Sequence, residues 1–169
     1  RRAVTACIGN PFAVDPATWH DAVATLRRID VPTLLKLLTT RGDLHSAKLL
    51  VLAVGHVAAC ERPDEPSWVL SEREVPKSLL RKLPRDPAAY LRIVMAAGRT
   101  FRALSAIQGG SPQLNEVRRR AWSACFGESL YHALRLERVI RDSDVVILGE
   151  TGTGKEAVAR AIQLGMPGG

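Results

Sequence analysis

The sequence predicts a mainly α-helical chain that closes with one strand, one loop and one helix, and three observations carry that prediction. Helix-start signals recur at Asp15-Pro16, Asp86-Pro87 and Ser111-Pro112, each pairing an N-capping side chain with a proline suited to the first helical position. Between these signals apolar residues return at spacings of three and four, the period of a helix with one buried face. One run breaks the period: Val145-Val146-Ile147-Leu148 is short, continuous and β-branched, as a strand buried on both faces must be.

Taken in order, residues 17–28 form an amphipathic helix with Val23, Leu26 and Ile29 on one side. Pro32 opens a second, over residues 34–40, which Arg41-Gly42 closes. Asp43 caps a third, running through Leu49, Leu50, Leu52 and Val57 toward Cys60. Arg62-Pro63-Asp64-Glu65-Pro66 reads as a loop, and a short helix over 77–83 ends at Pro84. From Asp86-Pro87 a long helix runs through Gln108 to the stop at Gly109-Gly110. Leu91, Met95, Gly98, Phe101, Ser105 and Gln108 mark its expected inner face, with Arg85, Arg92 and Arg99 repeating every seven residues beside it. Helices over 113–125 and 129–140 precede the strand, and a helix over 157–164 follows it. Only weak strand partners exist elsewhere, at residues 4–8 and 68–70, so the strand is expected to be partly uncovered.

The composition suits a folded core: 169 residues, 46% hydrophobic and 24% charged, with mean hydropathy of −0.01, which excludes long disorder. There is neither a run of about 18 or more apolar residues nor a signal-peptide pattern, so the reading is no membrane span and a cytoplasmic location. Cys7, Cys60 and Cys125 are widely spaced and odd in number, which points to reduced, buried thiols. The chain begins Arg1-Arg2 and stops soon after its final helix, and is read as a fragment. Between Lys77 and Arg120 ten basic residues face two acidic ones, a local charge of +8 within a total of +7.

The sharpest chemical signal follows the strand: Gly149-Glu150-Thr151-Gly152-Thr153-Gly154-Lys155-Glu156. A strand, then G-x-x-x-x-G-K, then a helix is the arrangement of a phosphate-binding loop. Its glycines let successive N–H groups turn inward, the helix N-terminus adds partial positive charge, and Lys155 adds a full one for the β- and γ-phosphates. Glu156 stands where most such loops carry a Ser or Thr hydroxyl for magnesium.

That departure narrows the comparison. Gly-Glu-Thr-Gly-Thr-Gly-Lys-Glu followed by Ala157-Val158-Ala159-Arg160-Ala161-Ile162 closely resembles the Walker A segment of the sigma-54-dependent transcriptional activators, the enhancer-binding AAA+ ATPases, which themselves carry Glu at that position. Upstream, Phe126-Gly127-Glu128-Ser129 and the helix after it are similar to the beginning of that module. The resemblance implies that Phe126 and Gly127 lie against the adenine. It covers about residues 122–163, and nothing before Gln113 resembles a receiver, GAF or PAS domain. Walker B aspartates, the GAFTGA loop, sensor residues, arginine finger and helix-turn-helix are not in this sequence, so no residue here is assigned to activating water. Asp142 and Asp144 read as helix-end and turn residues.

Two other constellations stand out. His56 and Cys60, four apart on one helix, have the spacing of a pair of metal ligands, but no third converges, since His45 lies about 16 Å along the axis; packing is the favoured reading. His20 and His132 stand alone. Arg118-Arg119-Arg120 near Trp122 could contact nucleic acid, although a solvated helix face is favoured because no recognition motif accompanies it.

Together these observations divide the chain into a helical N-terminal regulatory or interaction region, 1–112, and an incomplete AAA+ α/β P-loop module, 113–169. The resemblance implies a bacterial regulator that binds ATP and Mg2+ and self-associates into a ring. It further implies that the intact protein hydrolyses ATP to activate the sigma-54 RNA polymerase holoenzyme, and that it contacts DNA through a domain outside this sequence. The alternative is a helical adaptor or signal-binding module carrying a vestigial nucleotide loop.

Overall fold

A computed structural model describes residues 1–62, 64–71, 75–141 and 144–166. Its helices are α1 (Arg2–Ile8), α2 (Pro16–Arg27), α3 (Val31–Thr40), α4 (Leu44–Glu61), α5 (Pro66–Val69), α6 (Lys77–Leu80), α7 (Pro87–Ala106), α8 (Pro112–Phe126), α9 (Leu130–Arg141) and α10 (Lys155–Gly165). The starts are set by the capping chemistry that the sequence announces. Asp15 accepts from Ala17 N at 2.9 Å and Thr18 N at 3.1 Å, Asp43 from Ser46 N at 3.0 Å, Asp86 from Ala88 N at 3.1 Å and Ser111 from Leu114 N at 3.2 Å. Each satisfies an N–H that the first helical turn leaves without an acceptor.

The centre of the molecule is the crossing of α4 and α7. Residues 50–59 of α4 are all buried, and α1, α3 and α7 all pack against this helix. At the crossing a Cβ on Gly98 would stand 2.4 Å from the Ala59 carbonyl oxygen, so only glycine admits this approach. By length and hydropathy α4 could also cross a membrane, yet its apolar side chains are spent on the protein's own core.

Several expectations are corrected. Residues 4–8 and 68–69, entertained as strand partners, lie in the helices α1 and α5. The short sixth helix ends at Leu80 rather than residue 83. On α7 the expected inner face is met at Met95 and Gly98, which are buried, and at Leu91 and Phe101, which are partly so; the buried surface is wider than expected, taking in Tyr90, Ile93, Val94, Ala97 and Leu104, whereas Ser105 and Gln108 are exposed.

The expected strand is the largest difference. Among the described residues no strand forms, and the one β-bridge joins Gly9 to Ser129. Val146 is 79% and Leu148 89% exposed. A strand exists only through its ladder, and among the described residues no second segment pairs with residues 145–148 to accept or donate one. The chain is thus mainly α, and a single apolar cluster runs through it from Cys7 to Ile162, across Pro112.

Candidate functional site

Residues 149–155 close a tight loop onto the start of α10. Gly152 and Gly154 have φ of +82° and +78°, in the left-handed region that favours glycine, and they turn the chain back toward the helix. Thr153 Oγ1 donates to Glu150 O at 2.8 Å. Lys155 Nζ donates to Gly149 O at 2.7 Å and also to Glu150 O. The lysine therefore draws the two ends of the loop together.

The loop's backbone donors are unspent within the protein. No protein acceptor takes the backbone N–H of any residue from Glu150 to Glu156; the first helical bond is Ala157 N to Gly154 O at 3.1 Å. Gly154 contributes no capping side chain. The N-terminus of an eleven-residue helix thus presents free N–H groups and its partial positive charge beside the Lys155 ammonium. Two carboxylates, Glu150 and Glu156, leave these eight residues with a formal charge of −1. Directed N–H groups, and not net charge, would have to hold a phosphate here.

The far end of α10 is locked into the helical body. Thr100 Oγ1 donates to Ala161 O at 3.4 Å, and Cys125 Sγ to Ile162 O at 3.6 Å. A Cβ on Gly165 would meet Thr100 Oγ1 at 2.6 Å and Cys125 Sγ at 2.7 Å. Beside the loop, residues 145–149, α8 and α10 line a largely apolar trough of ≈640 Å³, to whose wall Thr153 and Lys155 also contribute.

Phe126 and Gly127 are not brought to this loop. Phe126 is fully buried, its ring 4.6 Å from that of Trp122, and Gly127 ends α8. The adjacent Cys125 touches α10 at Ile162 and Gly165. Those contacts lie about 10 to 15 Å from Lys155 at the helical rise of about 1.5 Å per residue. The α8–α10 contact fixes this separation, and nothing local in the sequence announces it.

The remaining candidates resolve into packing. His56 is buried between the rings of Trp19 at 5.5 Å and Trp122 at 5.2 Å. Its Nδ1 donates to Cys7 O at 2.6 Å, and burial holds its pKa down at about 4. Among the described residues no three His, Cys, Asp or Glu side chains gather to hold a metal. All three cysteines are free thiols. Burial raises Cys7 to about 11 and Cys125 to about 12, and Cys60 higher still, so none is a ready nucleophile.

Arg118, Arg119 and Arg120 are likewise engaged. Arg118 Nε donates to Leu104 O at 3.1 Å, and its Nη2 donates to Ile107 O at 2.5 Å and Gly109 O at 3.1 Å, which closes the C-terminal end of α7. Arg119 and Arg120 both reach Glu116, at 2.7 and 2.6 Å, and their bonds hold its carboxyl down at about 2. Asp142 lies outside the described residues; Asp144 is exposed. His20 Nδ1 meets Pro16 O at 2.6 Å, and the exposed His132 stands beside Tyr131. No family model, no curated protein and no solved structure matches this chain.

Proposed function

We propose that residues Gly149 to Glu156 bind the phosphates of ATP, and that the chain is the nucleotide-binding portion of a sigma-54-interacting transcriptional regulator of the bacterial cytoplasm. The observation that carries the reading is the set of unspent N–H groups from Glu150 to Glu156, which lie with Lys155 at the start of α10. This donor set fits a polyphosphate. Glu156 stands where the usual hydroxyl would meet magnesium, and among the described residues no three metal-ligating side chains gather, so the Mg2+ that the resemblance implies would rest chiefly on the phosphates and water. Ring formation, ATP hydrolysis and action on the sigma-54 holoenzyme follow from the resemblance of the loop alone.

A second reading is favoured by the locking of α10 onto Thr100 and Cys125. In it the helical body is the working part, an adaptor or signal-binding module, and the loop is vestigial. Calorimetry with ATP separates the two. The first reading expects binding that Lys155→Ala abolishes while the circular dichroism spectrum is unchanged. ATP affinity unaltered by Lys155→Ala, or no binding by the unaltered chain, would leave the adaptor.

A further inference from the structure

The basic character that the sequence concentrates at Arg118-Arg119-Arg120 is used up inside the molecule, but another group of cations is not. Tyr131 on α9 is flanked by Lys48 of α4, whose Nζ lies 5.3 Å from the ring centroid, and by Arg135 of α9, whose Cζ lies 5.9 Å from it. The ring of His45 meets the same tyrosine at 5.2 Å. Arg85 joins them, its Nη2 donating to Arg135 O at 3.4 Å. Arg85 is also the one non-glycine among the described residues with a left-handed backbone, φ +92°, in a turn whose Pro84 carbonyl accepts from Tyr90 Oη at 2.8 Å. Arg81 and Lys82 lie just before it and are exposed.

None of Lys48, Arg81, Lys82, Arg85 and Arg135 has a carboxylate within ion-pair distance among the described residues. The acids nearest Lys48 and Arg85 in sequence, Asp43 and Asp86, are committed to capping α4 and α7. Like charges gathered without counter-charge repel one another, and an anionic partner relieves that repulsion. None of these side chains lines any of the described cavities. The charge is spread over three elements instead of enclosed, which suits an extended polyanion better than a single small anion. Tyr131 is already engaged by two cations and the His45 ring, so the face offers charge for a phosphate backbone ahead of a stacking platform for a base.

We propose that Lys48, Arg85 and Arg135 around Tyr131 form a docking face for the phosphate backbone of nucleic acid, bound without regard to sequence. This is independent of the nucleotide loop. The test is fluorescence anisotropy of a labelled random-sequence DNA duplex titrated with the whole chain at increasing salt. Three neutralised phosphates predict a slope of log affinity against log salt near −3, hence a loss on the order of 40-fold between about 50 and 200 mM. Lys48→Gln, Arg85→Gln and Arg135→Gln should each weaken binding and reduce that slope by about 1, with circular dichroism melting confirming that each variant folds. Arg120→Gln, at a cation already paired with Glu116, and Lys155→Ala, at the loop, should leave it unchanged. Four results would overturn the proposal: no binding at low salt; binding indifferent to the three substitutions; loss of binding in Lys155→Ala; or equal, equally salt-sensitive retention on polyglutamate or anionic lipid vesicles.

Discussion

At the scale of single residues, His56 shows how burial sets chemistry. Its Nδ1–H is spent on the Cys7 carbonyl, its ring is enclosed by two tryptophans, and its Nε2 is buried without a partner. The ring is therefore held neutral, with its pKa lowered from 6.5 to about 4. Between those values the unfolded chain holds the proton and the folded one does not. The resulting stability is complete above about pH 6.5 and is lost as the pH falls toward 4, an interval worth on the order of 3 kcal/mol. Urea denaturation of the wild type should show that loss, and His56→Gln, which cannot titrate, should lack it. Equal pH slopes for the two proteins would mean that His56 is not held neutral. The same scale explains what the residue list alone conceals. Arg118 to Arg120 look like a patch because they are adjacent in the chain, yet Glu116 and the end of α7 take them up. Lys48, Arg85 and Arg135 are separated by dozens of residues and come together only through the contacts of α9 with α4 and α7.

At the scale of elements, what could be read in advance is what local chemistry decides. Asp15, Asp43, Asp86 and Ser111 each cap the helix that they announce. By contrast α1 and α5 have no capping side chain, and α1 is held by packing on α2 and α4, so no local signal announced it. The phosphate-loop motif was legible for the same reason that the caps were, since its glycines and lysine act on their own backbone. The strand was not, because β-structure is a property of pairs of segments. Hydrogen exchange tests this division. Amides of residues 145–149 should exchange fast, whereas those of Ala161, Ile162 and Gly165 should be protected by their contacts with α7 and α8. Gly165→Val drives a side chain into Thr100 and Cys125, costing about 1 to 3 kcal/mol, and should erase the protection of α10 while sparing α4. Protection of residues 145–149 equal to that of α10 would reveal a ladder that this arrangement does not contain.

At the scale of the whole molecule, the question is whether the regions on either side of Pro112 are one cooperative body. The sequence suggests a boundary there because the motif and its resemblance begin beyond it. The apolar core does not respect that boundary. Trp122 lies 5.2 Å from His56 and 6.4 Å from Phe12, ring centroid to centroid, and Asn10 Nδ2 donates to Arg119 O at 2.8 Å. Thr100 and Cys125 together hold α10. Separating the two parts would strip Trp122, fully buried, of its contacts with His56 and Phe12, and Ala161 and Gly165 of theirs with Thr100, at about 1.5 to 3 kcal/mol for each large apolar side chain exposed. Such a cost forbids independent melting at any appreciable population. In a Trp68→Phe background, single-tryptophan variants that keep only Trp19 or only Trp122 place a reporter on each side of Pro112. Their fluorescence transitions in urea should coincide with each other and with the loss of far-ultraviolet circular dichroism. A Trp122 transition well below that of Trp19 would instead mean that residues 113–166 undock first, and that α8 and α10 belong to a separate folding unit whose contacts with α7 are weak.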